Sequence, residues 1–336
     1  MPLFYFIAGF FLNPQQNTLS IIYKKFKSLL IPYTAYNIFF GFVTFLLFYL
    51  GISWGNRSLL NSLSFHNIFV EPFFSGHQYQ ISCPLWFVPS LFLVMILFAL
   101  TRHALLVINK SLINKVMSAL VAAALYYAII YNITTFNENK YLALIHRTLI
   151  GYIFCFLGYI YYAERERLNN TAIFILSTCT YCYLSIKFGT FGYSSVFNDY
   201  GSGIGKDISF LVSISGIFIV ISASNFIAKR DFFLKREDTA WLGKNSFHIM
   251  ALHLSGFLVL NCALALIGPN KHLSDITGIY FRYPNVIWAY FFFSMTYCVT
   301  ILKLAERGKI LWAEHKARKV QQTSVLELPP LNRTPC

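Results

Sequence analysis

Two histidines, His248 and His253, stand in a stretch that carries no Lys, Arg, Asp or Glu between Ser246 and Ile267. That stretch is long enough to cross a bilayer, which takes about 20 apolar residues. A titratable side chain at membrane depth is costly and marks a candidate functional site. On a helix, His253 lies about 10 Å along the axis from Ser246 and points almost the same way. Asn261 falls roughly 80° round from His253. Ser246, His253 and Asn261 therefore form one polar stripe, with His248 and Ser255 on the far side. Imidazole, hydroxyl and amide groups suit general-base chemistry or sugar binding better than ion transport. Two structural readings stand beside this one. His253 also fits a hydrogen bond between helices, and Ser246 and Asn245 fit the cap of the helix that follows.

The elements that hold these residues are membrane spans. The chain is 57% hydrophobic, 18% aromatic and 12% charged, and its mean hydropathy is +0.56. A soluble domain carries about twice that charge. The sequence predicts an all-α, polytopic transmembrane helical bundle of about eight complete spans. They run near 29–51, 85–101, 116–133, 148–163, 171–187, 208–228, 246–267 and 285–304. An apolar stub, Pro2 to Leu12, precedes them and reads as a partial span. Residues 1–304 form the transmembrane domain, and 305–336 a basic, partly helical tail ending in LPPLNRTPC.

The formal net charge is +14, yet its distribution excludes a nucleic-acid partner. Twenty of the 27 Lys and Arg fall in alternate connections: Lys24 to Lys27, Arg102 to Lys115, Arg165 to Arg167, Lys229 to Lys244 and the tail from Lys303. This is the positive-inside pattern. It places those connections and the C-terminus in the cytoplasm of a multi-pass plasma (inner) membrane protein in contact with the lipid bilayer. Basic residues there also serve simply to fix topology.

No Walker loop, GxGxxG fingerprint, HExxH or GxSxG occurs. Gly201 to Gly205 reads as a flexible connection. Cys179 and Cys182 make a CxxC inside an apolar helix with no second pair, so packing is the expectation and no metal is implied. No paired carboxylates lie within a span, which argues against a coupled ion pump.

Three segments resemble acyltransferase family 3, integral-membrane proteins many of which O-acetylate sugars. They are MPLFYFIAGFFL followed by KKFKSLLIPY (1–12 and 24–33), PLWFVPSLFLV (84–94) and LGKNSFHIMALH (242–253). HRTLIGYIFCFLGY (146–159) is a weaker fourth. The order and spacing are similar to the fucose 4-O-acetylase-like branch. The resemblance implies transfer of an acyl group, usually acetyl from acetyl-CoA, to a hydroxyl of a cell-envelope glycan or lipid-linked sugar. It implies His253, which closes the third segment, as the catalytic base; Ser246 and Asn261, on the same polar stripe, are the expected substrate-binding groups beside it. Lys24, Lys25 and Lys244 are expected at the acyl-CoA phosphates. Trp86 reads as an interfacial anchor or a sugar-stacking platform, and Arg147 as a substrate-binding arginine or a snorkelling one.

The family pattern has ten spans and a first helix with an arginine and a histidine, which this sequence does not contain. No residue here inherits those roles, and the expectation is that the chain alone transfers acyl groups poorly. A polysaccharide or lipid-linked-sugar transporter, a polymerase-like protein and a non-enzymatic remnant are the alternative readings.

Overall fold

The computed structural model describes residues 2–13, 15–49, 64–75, 79–108, 111–131, 140–168, 170–188, 205–229, 236–267 and 287–326. All regular structure among them is helical. The glycine-rich segment at 201–204 and the LPPLNRTPC end lie outside the described residues. The chain divides into two compact units, Met1–Leu50 with Asn56–Thr239, and Gly51–Gly55 with Ala240–Cys336.

Among the described residues, seven helices are long and apolar enough to cross a membrane: Thr18–Leu47, Ile81–Thr101, Leu142–Leu168, Thr171–Phe188, Ile208–Ala228, Glu237–Ile267 and Ile287–Ala317. The remaining predicted span, at 116–133, corresponds to a shorter apolar helix, Ile113–Ile129. The protein is an all-α, polytopic helical bundle, and apolar side chains such as Phe42, Leu176 and Phe292 stand exposed where lipid would meet them.

In the first unit a short helix, α1 (Pro2–Phe10), is followed by α2 (Thr18–Lys25) and α3 (Ile31–Tyr49). At roughly 14 Å, α1 is shorter than the ~30 Å hydrocarbon core of a bilayer. Asn13 closes the turn after it by accepting from the Gln15 N–H at 3.0 Å. Asn17 then caps α2 through the Leu19 N–H at 3.1 Å. A single wide turn, Phe26–Leu30, joins α2 to α3, and the Ile31 N–H bonds the Phe26 carbonyl. Pro32 has no N–H to give, so the helix widens just before it and continues. Turns of this kind recur at functional sites.

Among the described residues this unit also holds α4 (Glu71–Ser75), α5 (Phe87–Ile108), α6 (Leu112–Tyr131), α7 (Lys140–Leu168) and α8 (Thr171–Phe188). The last helix wholly inside it is α9 (Gly205–Lys229). Asn170 makes the tight α7–α8 corner, donating to the Arg167 carbonyl at 3.0 Å and accepting from the Ile173 N–H at 2.9 Å. Lys115 pairs with Glu164 at 2.8 Å, which ties the charged start of α6 to the end of α7. That charge at the α6 start shortens its apolar run.

Glycines set how closely α1 lies on α7. A Cβ on Gly9 would strike the Cys155 carbonyl, and one on Gly158 the Phe6 carbonyl. A Cβ on Gly151 would meet the Tyr5 ring at 2.5 Å. Small residues let membrane helices approach backbone to backbone. Gly9→Val and Gly158→Val should each destabilise the chain by at least about 2 kcal/mol, because the obstacle is main chain that cannot swing aside. A lower thermal midpoint in detergent is the readout, and unchanged melting would contradict this packing.

The second unit holds most of α10 (Arg236–Ile267) together with α11 (Ile287–Leu326). The helix carrying the histidines thus begins well before Ser246, which corrects the capping reading of Ser246 and Asn245. Both lie inside α10, and the Asn245 side chain donates to the Trp241 carbonyl at 3.1 Å. Glu237 and Asp238 supply the acidic first turn instead, where carboxylates favour a helix N-terminus. α11 runs without a break past residue 304 into the tail.

Candidate functional site

The first unit contains a basic cavity of about 730 Å³ where α1 turns into α2. Lys24, Lys25 and Lys27 line it, with Asn13, Gln16 and Ser28. The Asn13 turn and the wide turn at Phe26–Leu30 bring these groups together: the first leads into α2, which packs on α5 with Thr18 donating to the Ala99 carbonyl at 3.4 Å, and the second carries Lys27 and Ser28. Lys24 and Lys27 are exposed, while Lys25 is half-buried. The Lys25 charge lies within electrostatic range of the buried Cys155 on α7. Three ammonium groups round a cavity of ligand size suit an anionic, phosphate-bearing molecule.

Arg147 lies about 12 Å along α7 from Cys155, toward the helix start. Its guanidinium covers the Trp86 ring at 5.2 Å. Both Arg147 and Trp86 therefore meet in this unit, as a cation–π pair. Trp86 is 9% exposed, so its indole is already covered. Beside the pair, the Tyr5 hydroxyl bonds Ser90 Oγ, and Ser90 donates to the Phe87 carbonyl at 2.8 Å. The Arg147 charge acts on both Tyr5 and the buried His146. Tyr5, Ser90 and His146 were not among the sequence candidates. Each lies inside one of the quoted motifs: Tyr5 and Ser90 as single polar groups in apolar runs, and His146 beside Arg147.

In the second unit, His253 Nδ1 is 2.7 Å from the Met250 carbonyl. A carbonyl only accepts, so Nδ1 carries the proton and Nε2 presents its lone pair. The ring edge packs on Phe257 at 6.0 Å. Ser294 of α11 donates to the His253 carbonyl at 2.7 Å, and a Cβ on Gly256 would lie 3.0 Å from Ser294 Cα. The backbone around His253 is thus clamped while the imidazole is oriented and only partly buried.

The other stripe residues differ in surroundings. Asn261 is fully buried and accepts from the Tyr290 hydroxyl at 2.5 Å, an interhelical bond. Ser246 and Lys244 are exposed on α10. Trp241 donates to both Glu306 oxygens at 3.0 and 2.9 Å, and Lys303 lies over its ring at 5.7 Å. Among the described residues no group of His, Cys, Asp and Glu could hold a metal ion.

Long apolar helices with lipid-facing side chains define a multi-pass integral-membrane protein. A family model for an acyltransferase domain, acyltransferase family 3, matches residues 1–304. The chain belongs to this family of membrane acyltransferases. Comparison with curated proteins and with solved structures gives no match.

Proposed function

We propose that the protein is an O-acyltransferase of the plasma membrane that moves an acyl group from acyl-CoA, acetyl-CoA in the simplest case, to a hydroxyl of a cell-envelope saccharide. The observation that carries this reading is the gathering of Lys24, Lys25 and Lys27 round one cavity in a chain of an acyltransferase family. CoA is a polyanion, and ammonium groups hold phosphates as point charges. The lysine side is the cytoplasmic side in this reading, with the C-terminus, as the charge distribution predicts.

His253 serves as the base. Nε2 takes the proton of the acceptor hydroxyl as its oxygen attacks the thioester carbonyl. The carbon–oxygen bond forms, the carbon–sulfur bond breaks, and CoA leaves as a thiolate that is then protonated. Within the first unit, Lys24 and Lys25 are assigned to the donor phosphates, and Arg147, held over the Trp86 ring, to the saccharide. Within the second, the exposed Ser246 and Lys244 are assigned to substrate and donor contacts, and the buried Asn261 to positioning α10 through Tyr290.

The test supplies labelled acetyl-CoA to membranes containing the chain and follows both donor binding and label in the envelope glycan. Bound donor and label in glycan, both lost to excess unlabelled acetyl-CoA, are expected. A folded chain that neither binds acyl-CoA nor labels any glycan overturns the reading.

A further inference from the structure

A second cavity, about 520 Å³, lies between α1, α7 and α9 of the first unit. Its walls are graded. One stretch is apolar, with Leu3, Phe6 and Ile7 of α1 and Val220 and Ile221 of α9. The other carries Arg165, Glu166, Ser224 and Asn225. These polar residues lie near the C-terminal ends of α7 and α9. Phe11, just beyond the end of α1, lines this groove and the lysine cavity alike. The two spaces therefore share a wall, and the polar residues lie at the end where they adjoin.

We propose that this groove takes the acyl chain of a medium- or long-chain acyl-CoA whose phosphates occupy the lysine cavity. The inference rests on the donor reading above and adds a chain-length preference to it. Acyl-CoA has the same grading: phosphates, then a polar amide-bearing arm, then hydrocarbon. The amide arm crosses at Phe11, where Ser224 and Asn225 offer hydrogen bonds, and the hydrocarbon runs toward Leu3. A bilayer phospholipid fits less well. Its phosphate would sit at the groove's own polar end, where Glu166 offsets Arg165. The uncompensated positive charge is in the adjoining cavity.

Binding of acetyl-CoA and dodecanoyl-CoA to the purified full chain, each displacing a fluorescent CoA, tests this. Dodecanoyl-CoA should bind at least about tenfold tighter, the effect of burying roughly two methylenes or more. Val220→Trp should fill the groove and remove that advantage, leaving acetyl-CoA within about twofold of wild type. Val220 is 38% exposed, which leaves room for the larger ring. Leu3→Trp fills the opposite wall and should act alike, and thermal melting verifies that both variants are folded. A diazirine at the chain end of the dodecanoyl thioester should label α1 or α9. Equal binding of the two thioesters, with no effect of either tryptophan, overturns the groove assignment and leaves the donor site standing. Labelling that phosphatidylglycerol displaces and dodecanoyl-CoA does not gives the groove to bilayer lipid, and also overturns it. Failure of both thioesters to bind overturns the donor reading and this inference together.

Discussion

His253→Ala should slow acyl transfer by about 10²- to 10⁴-fold, the range that a positioned general base supplies, with donor affinity unchanged. The argument rests on how the ring is held. Nδ1–H donates to the Met250 carbonyl at 2.7 Å, which leaves the Nε2 lone pair as the only basic position. The substitution removes that lone pair and little of the fold. Ser294 bonds the His253 backbone carbonyl rather than the ring, and the close α10–α11 approach is made at Gly256. Alanine preserves both contacts. His253→Gln keeps a polar side chain of similar reach but cannot act as a base, so it should be as slow as alanine. Turnover and donor KM, measured separately in membranes with labelled acetyl-CoA, check the prediction. A slow glutamine variant with unchanged KM supports the base. A glutamine variant near wild-type rate makes His253 a packing residue.

The same helix illustrates what the sequence could reveal. A charge-free run with two histidines was enough to predict a span and to single out His253. The helix starts earlier than the sequence suggests, because the polar Asn245-Ser246 pair resembles a cap. Glu237 and Asp238 mark the real first turn, and α10 runs through Gly243 despite the roughly 1 kcal/mol that a glycine costs a helix interior relative to alanine. The predicted stripe treats α10 as an isolated rod. Neighbours decide what each position meets, and Asn261 is engaged by Tyr290, which lies 29 residues away in sequence. Helical periodicity carries no information about such a partner. The lysine cluster was legible as a family motif and a topology signal. Its cavity was not, because it depends on the turn at Asn13 and on the wide turn before Pro32. The Tyr5–Ser90 bond joins residues 85 apart and lies equally beyond any local pattern. Composition and run length suffice for spans because hydrophobic thickness is a one-dimensional demand. A site is a three-dimensional one.

The lysine cavity carries the other large expected effect. Lys25→Gln should weaken acyl-CoA binding by about tenfold or more, the scale of a charge-assisted hydrogen bond removed from a half-buried position. Lys24→Gln and Lys27→Gln should each cost about fivefold or less, because both ammonium groups are exposed and screened by solvent. The triple variant should also lose most of the salt dependence of binding, since screening acts on the charges that have been removed. Turnover at saturating donor should change little, because these residues hold CoA and take no proton from the acceptor. The competing explanation is that the three lysines only fix topology. Arginine replacements separate the two. They keep positive charge on the same side of the membrane, so topology is retained, but a planar guanidinium cannot reproduce the compact ammonium in a fitted phosphate site. Lys25→Arg should therefore insert normally and still bind acyl-CoA more weakly than wild type. If Lys25→Gln binds acyl-CoA like wild type once insertion is verified by thiol accessibility, the cavity is no donor site.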